Sequence, residues 1–115
     1  MKSKKFEIKV NYISYDQELD ILELHSNSPI DHSKNVGGLV IIHFDKKDKV
    51  VGLEFMGLAK VQGIPKKNLM NINSAFINLV VYPQEKSLFI TANILSVIDH
   101  KQIPGLITAP PLIIN

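Results

Sequence analysis

Two Asp-His dipeptides, Asp31-His32 and Asp99-His100, are the residues in this chain best suited by type to chemistry. Histidine titrates near neutral pH and ligates metals through a neutral ring nitrogen, and an adjacent carboxylate can orient the ring or share the metal. Two histidines and two carboxylates are adequate for zinc if the fold makes Asp31, His32, Asp99 and His100 converge. Adjacent residues on a strand point to opposite faces, so each dipeptide would supply one inward ligand unless it lies in a loop. The competing reading is a turn ahead of a strand at both places. Asp16, Glu18 and Asp20 put three carboxylates within five residues, enough oxygen for a divalent cation. They lack the glycine and distal glutamate of a calcium loop, and aspartates in turns commonly bind backbone amides. His43 and Glu54 make a third set. If Ile42 pairs with Leu53, His43 lies opposite Gly52 and diagonal to Glu54, as a general-base pair or as a solvated cross-strand contact. No Gly-x-Ser-x-Gly elbow, phosphate-binding glycine loop or His-x-x-x-His spacing accompanies these groups.

The elements that must position them are mostly strands. Phe6 to Asn11 alternates apolar and polar residues and continues through Tyr15; a turn at residues 16–18 precedes a second run, Asp20 to Leu24. Ser26 to Asn35, with Pro29 inside it, reads as a loop. Gly37-Gly38 opens the strongest strand, Leu39 to Phe44, and a charged tip, Asp45 to Lys49, returns it through Val50 to Met56. After a linker around residues 60–74, Phe76 to Val81 and Ser87 to Ala92 form another hairpin about Pro83-Gln84-Glu85-Lys86. Helical spacing is confined to Asn93–Asp99 and, more weakly, Lys66–Ser74.

At 115 residues, 45% hydrophobic and 21% charged, the chain is sized for one globular domain, residues 1–115. The apolar runs are too short for a membrane-spanning helix, and Glu7 and Lys9 interrupt the stretch a signal peptide would need. Without cysteine there are no disulfides or thiolate sites, so the expected location is the cytoplasm and no cofactor is expected. All 13 basic residues are lysines. Without arginine's bidentate fork, the chain lacks the usual tool for sequence-specific nucleic-acid reading, and no nucleic-acid partner of that kind is expected. Lysine attraction to phosphate is a residual possibility at Lys2, Lys4, Lys5 and Lys9 and at Lys46, Lys47 and Lys49.

Three collinear matches suggest an internal repeat: Tyr15 to Glu18 with Tyr82 to Glu85, Ile30-Asp31-His32 with Ile98-Asp99-His100, and Gly38-Leu39-Val40 with Gly105-Leu106-Ile107. The offset is 67 or 68 throughout, giving copies at 6–59 and 75–108. Two related antiparallel meanders with one or two short helices predict a mainly β fold, a small sandwich or barrel.

Within the first copy, Tyr15-Asp16-x-Glu18-x-Asp20-x-Leu22, then Gly38-Leu39-Val40-Ile41, Phe44-Asp45 and Val51-Gly52-Leu53-Glu54-Phe55, carry a resemblance. They resemble a widespread family of small prokaryotic β domains, domain of unknown function 2283, over residues 14–59, with a degenerate second copy. Lys49 departs from the turn glycine of that pattern, and Glu23 from its tyrosine after Leu22. The resemblance implies the β fold and, through suspected toxin-like partners of some members, a protein partner. It implies no activity.

The face opposite the first copy's core carries Leu39, Ile41, Val50 and Met56, and the tail carries Leu112, Ile113 and Ile114 beside prolines. A strand apolar on both sides is usually covered on both, which points to a homo-oligomer, most simply a dimer. The leading expectation is a non-catalytic interaction module that self-associates and binds a protein partner. The alternatives are a small metal- or ligand-binding enzyme using the Asp-His pairs, and a lysine-mediated non-specific nucleic-acid binder.

Overall fold

The computed structural model describes residues 3–113, which form two antiparallel sheets and two short helices. In one sheet β1 (Lys4–Lys9) pairs with β7 (Ile72–Tyr82), and β7 with the long β8 (Ser87–Ile98). The far edge of β8 takes both β9 (Lys101–Thr108) and β10 (Leu112–Ile113). The second sheet runs β2 (Tyr12–Asp16), β3 (Ile21–His25), β6 (Val50–Met56), β5 (Val40–Phe44), β4 (His32–Val36). Helices α1 (Leu58–Gln62) and α2 (Lys66–Leu69) connect the sheets through the linker.

Alternation explains the layering. Leu22 and Leu24 of β3, Ile42 of β5 and Leu53 and Phe55 of β6 point to one core, and Ile77 of β7 and Ile90 and Ala92 of β8 meet it from the other sheet. Each such side chain, fully withdrawn from water, contributes on the order of 1.5–3 kcal/mol. The mainly β sandwich therefore stands as expected from the sequence. The β5–β6 register also agrees, with Ile42 opposite Leu53 and His43 opposite Gly52.

Several elements differ from the sequence reading. The alternating run from Phe6 to Tyr15 is two strands: the chain leaves the first sheet at Val10, whose N–H donates to Ala75, and enters the second at Asn11, whose N–H donates to His25. Residues 32–35, read as the end of a loop, belong with Val36 to the edge strand β4, and Gly37 and Gly38 make its turn at φ of 64° and 72°. Residues Asn93–Asp99 are not helical, because Ile94 continues the inward row of Leu88, Ile90 and Ala92. A bulge between His43 and Phe44 pairs Phe44 with Val50, so Val50 turns into the core instead of outward.

The repeat does not hold in the expected alignment. Residues β7 and β8 do form a hairpin like that of β2 and β3, but Tyr82 pairs with Ser87 where Asp16 pairs with Ile21, an offset of 66. One residue of slip reverses the faces. Phe89, aligned by sequence with the buried Leu22, is accordingly exposed. Residues Gly38-Leu39 sit in a turn, whereas Gly105-Leu106 lie in the middle of β9. The described part of the tail docks within its own chain: Ala109 N–H donates to Ile90, and Leu112 pairs with Leu88 and joins the core. Ile114 lies outside the described residues.

Candidate functional site

The Tyr-Asp-x-Glu-x-Asp segment is used structurally. The Asp16 carboxylate accepts the N–H groups of Glu18 and Leu19 at 3.0 Å each, closing the β2–β3 turn. Asp20, buried and at φ 56°, accepts the Tyr15 hydroxyl at 2.6 Å and the N–H groups of Ala59 and Lys60 at the start of α1. Burial opposes its ionisation, yet the Tyr15 hydroxyl and the two amides hold its carboxyl below the ordinary value. Burial, together with Asp20, pushes the Tyr15 phenol upward. These carboxylates cap backbone and are not aimed at an open cation site.

The two Asp-His dipeptides part company. Asp99 and His100, at φ 51° and 66°, are the two-residue turn joining β8 to β9, where paired left-handed residues match strand twist. Asp31-His32 opens β4 in the other sheet. Among the described residues no group of three or more His, Cys, Asp or Glu side chains is arranged to hold a metal ion. The partner of His32 is instead Asp48, from the β5–β6 turn, which the sequence reading did not single out. His32 Nδ1 lies 2.9 Å from Asp31 and Nε2 2.9 Å from Asp48. Both nitrogens donate only if the ring is protonated. The Asp31 hydrogen bond is the main influence raising the His32 pKa; desolvation opposes it and Asp48 adds to it. The ring stacks on Phe44 at 5.2 Å. A signal for Asp48 exists in the sequence, since the turn lacks glycine and Asp48 takes the left-handed position at φ 61°.

This clamp borders a cleft of about 890 Å³ between the sheets, flanked by the edge strands β1 and β4. Its walls are Phe6, Ile8, Leu79, Val81 and Leu88 from one sheet, and Phe44 and Val50 from the other. Lys34 and Lys49 stand at its mouth beside His32.

The outer face of the second sheet carries the other polar set. Cross-strand rows place Tyr12, His25, Gly52, His43 and Ser33 in one line, and Ser14, Glu23, Glu54, Ile41 and Asn35 in the next. Ser33 Oγ lies 2.6 Å from His43 Nδ1, and Tyr12 stacks on His25 at 4.4 Å. Burial lowers the His43 pKa, with Glu23 opposing the effect and His25 adding to it. Nucleophile–base chemistry also needs a third group orienting the base, and no hydrogen bond to His43 Nε2 is present among the described residues. Glu54 does not bond His43; it faces Glu23. Ile41 and Met56 are half-buried on this polar face, and Leu39 is exposed in the turn.

The outer face of the first sheet is different in kind. Val80 opposes Phe89; Phe76 opposes Asn93 and, beyond it, Leu106; Leu95 opposes Pro104; Tyr82 opposes Ser87 and, beyond it, Ile113. No outward position of β7, β8 or β9 carries a charge, whereas β1 at the margin presents Lys5, Glu7 and Lys9. Leu106 is 61% exposed and Ile113 59%. Inward apolar residues concealed this outward row in the sequence, because the strands lack a clean polar alternation.

Residues 12–58 match the model of a family described as protein of unknown function (DUF2283). No curated protein and no solved structure matches the chain. No helix of the described residues is long and apolar enough to cross a membrane.

Proposed function

We propose that the chain is a non-catalytic interaction module that self-associates through the outer face of β7, β8 and β9. The observation that carries this reading is the charge-free outer surface of those strands, with Phe76, Phe89 and Leu106 exposed on it and Ile113 of β10 exposed beside them. Antiparallel sheets in solution normally alternate apolar inside and polar outside. In an isologous contact the same patch meets itself, residue i against residue j and j against i, and a face without charge brings no like charges together in any such pairing. The second sheet's outer face, with Glu23, Glu54, His25 and His43, does not meet that condition. Self-association is thereby assigned to Ile113 and the β7–β9 face and not to Leu39, Ile41 or Met56. The polar face of the second sheet stays free for a protein partner.

Light scattering on the purified chain tests this. A dimer is expected that Leu106→Glu converts to monomer with the β circular dichroism intact, because Leu106 is outward and its replacement leaves the core untouched. A wild-type monomer at tens of micromolar, or a Leu106→Glu dimer of unchanged affinity, overturns the reading.

A further inference from the structure

We infer that the cleft between the two sheets binds a free single-chain amphiphile with an anionic head, of the fatty-carboxylate class. The cleft of about 890 Å³ lies within the range of small-molecule sites, and it continues the core's apolar surface into open space. Phe6, on its wall, is 51% exposed although its register points it inward, opposite Leu79. An occupant of this space must therefore be largely apolar.

The mouth selects the head. Lys34 is on the inner side of β4, in register with Ile42, and Lys49 is in the neighbouring turn. Among the described residues neither lysine is in a salt bridge. The carboxylate of Asp48, also at the mouth, is held by His32, itself hydrogen-bonded to Asp31. Glu7, also on the lining, is in register with Asn78, in a row that faces the opposite side of its sheet. With Asp48 paired to His32, the unpaired side-chain charges on the inner lining are those of Lys34 and Lys49, and a carboxylate head would meet their ammonium groups while its chain fills the apolar interior. The cleft's walls lie on the inner side of the first sheet, and only Ile113 borders both the cleft and the outer face proposed for association.

Calorimetric titration with decanoate and with decyltrimethylammonium, probes of equal chain length and opposite head charge, distinguishes the alternatives. Decanoate is expected to bind about tenfold or more tightly than the cation, and Lys34→Glu/Lys49→Glu to reverse that order. Phe6→Ser, at a half-exposed position, is expected to weaken both probes with the β circular dichroism intact. Absence of decanoate binding, equal binding of both probes, or a preference untouched by the lysine reversals overturns the inference. Each measurement is made on the full chain and repeated on Leu106→Glu, so that failure of this inference and failure of the self-association reading are told apart.

Discussion

Glu54 shows how a single side chain sets a pH dependence here. Partial burial raises its pKa, and the carboxyl of Glu23 directly across the strand pair raises it further. A carboxyl whose pKa is higher in the folded than in the unfolded chain favours folding below the unfolded value, about 4.5, and loses that contribution as pH rises through the folded value. Glu54→Gln should therefore stabilise the protein at pH 7 by a few tenths to about 1 kcal/mol, and leave it nearly unchanged at pH 4. Thermal melts of both proteins at the two pH values check this; an equal gain at both would point to packing instead of charge. At this scale the sequence was legible where a residue acts on near neighbours, as in the Asp16 turn. Asp20 was read as a turn residue or a cation ligand, because its amide partners lie at Ala59 and Lys60, beyond any local pattern.

Between elements, distance of approach decides what a position accepts. A Cβ at Gly52 would stand 2.5 Å from His25 Cβ and 3.0 Å from the Leu24 carbonyl oxygen. The constraint comes from β3, while the pairing arithmetic had identified only His43 on β5. Gly52→Ala should cost about 1–3 kcal/mol through forced separation of β3 and β6, seen as a lowered denaturant midpoint. Unchanged stability would mean the strands can part without loss. Register was readable from β5 and β6 because one hairpin fixes both, and it failed only past the bulge at Phe44. The Asn93–Asp99 helix failed for a related reason: short apolar runs satisfy both periods, and the length of β8, set by its pairing to β7 and β9, decided between them.

At the scale of the molecule, the sandwich could be read from alternation, but neither the cleft nor the charge-free face could. Both depend on which strands become neighbours. Phe6 and Phe44, far apart in sequence and on different sheets, line one space only because the edges β1 and β4 flank it. Leu106 joins Phe76 only through Asn93 on β8. Of the matches that suggested a repeat, the tyrosine segments both lead into hairpin turns, one residue out of register, whereas Gly38-Leu39 and Gly105-Leu106 share residue types without sharing backbone conformation.

The passage of the chain from β1 into β2 at Val10-Asn11 also bears on cooperativity and folding order. Those two residues leave no slack: one N–H is tied to Ala75 in the first sheet and the next to His25 in the second. Loss of either sheet would pull the other's edge strand with it, so the two should melt as one unit. Pairing Lys4 with Val81 closes a loop spanning most of the chain, an entropic cost the local β7–β8 and β8–β9 hairpins avoid. Native-state hydrogen exchange should give matching opening free energies for the amides of β3 and β8, and pulse labelling during refolding should protect β1 last. Two separate opening energies would show that the crossing is a loose tether.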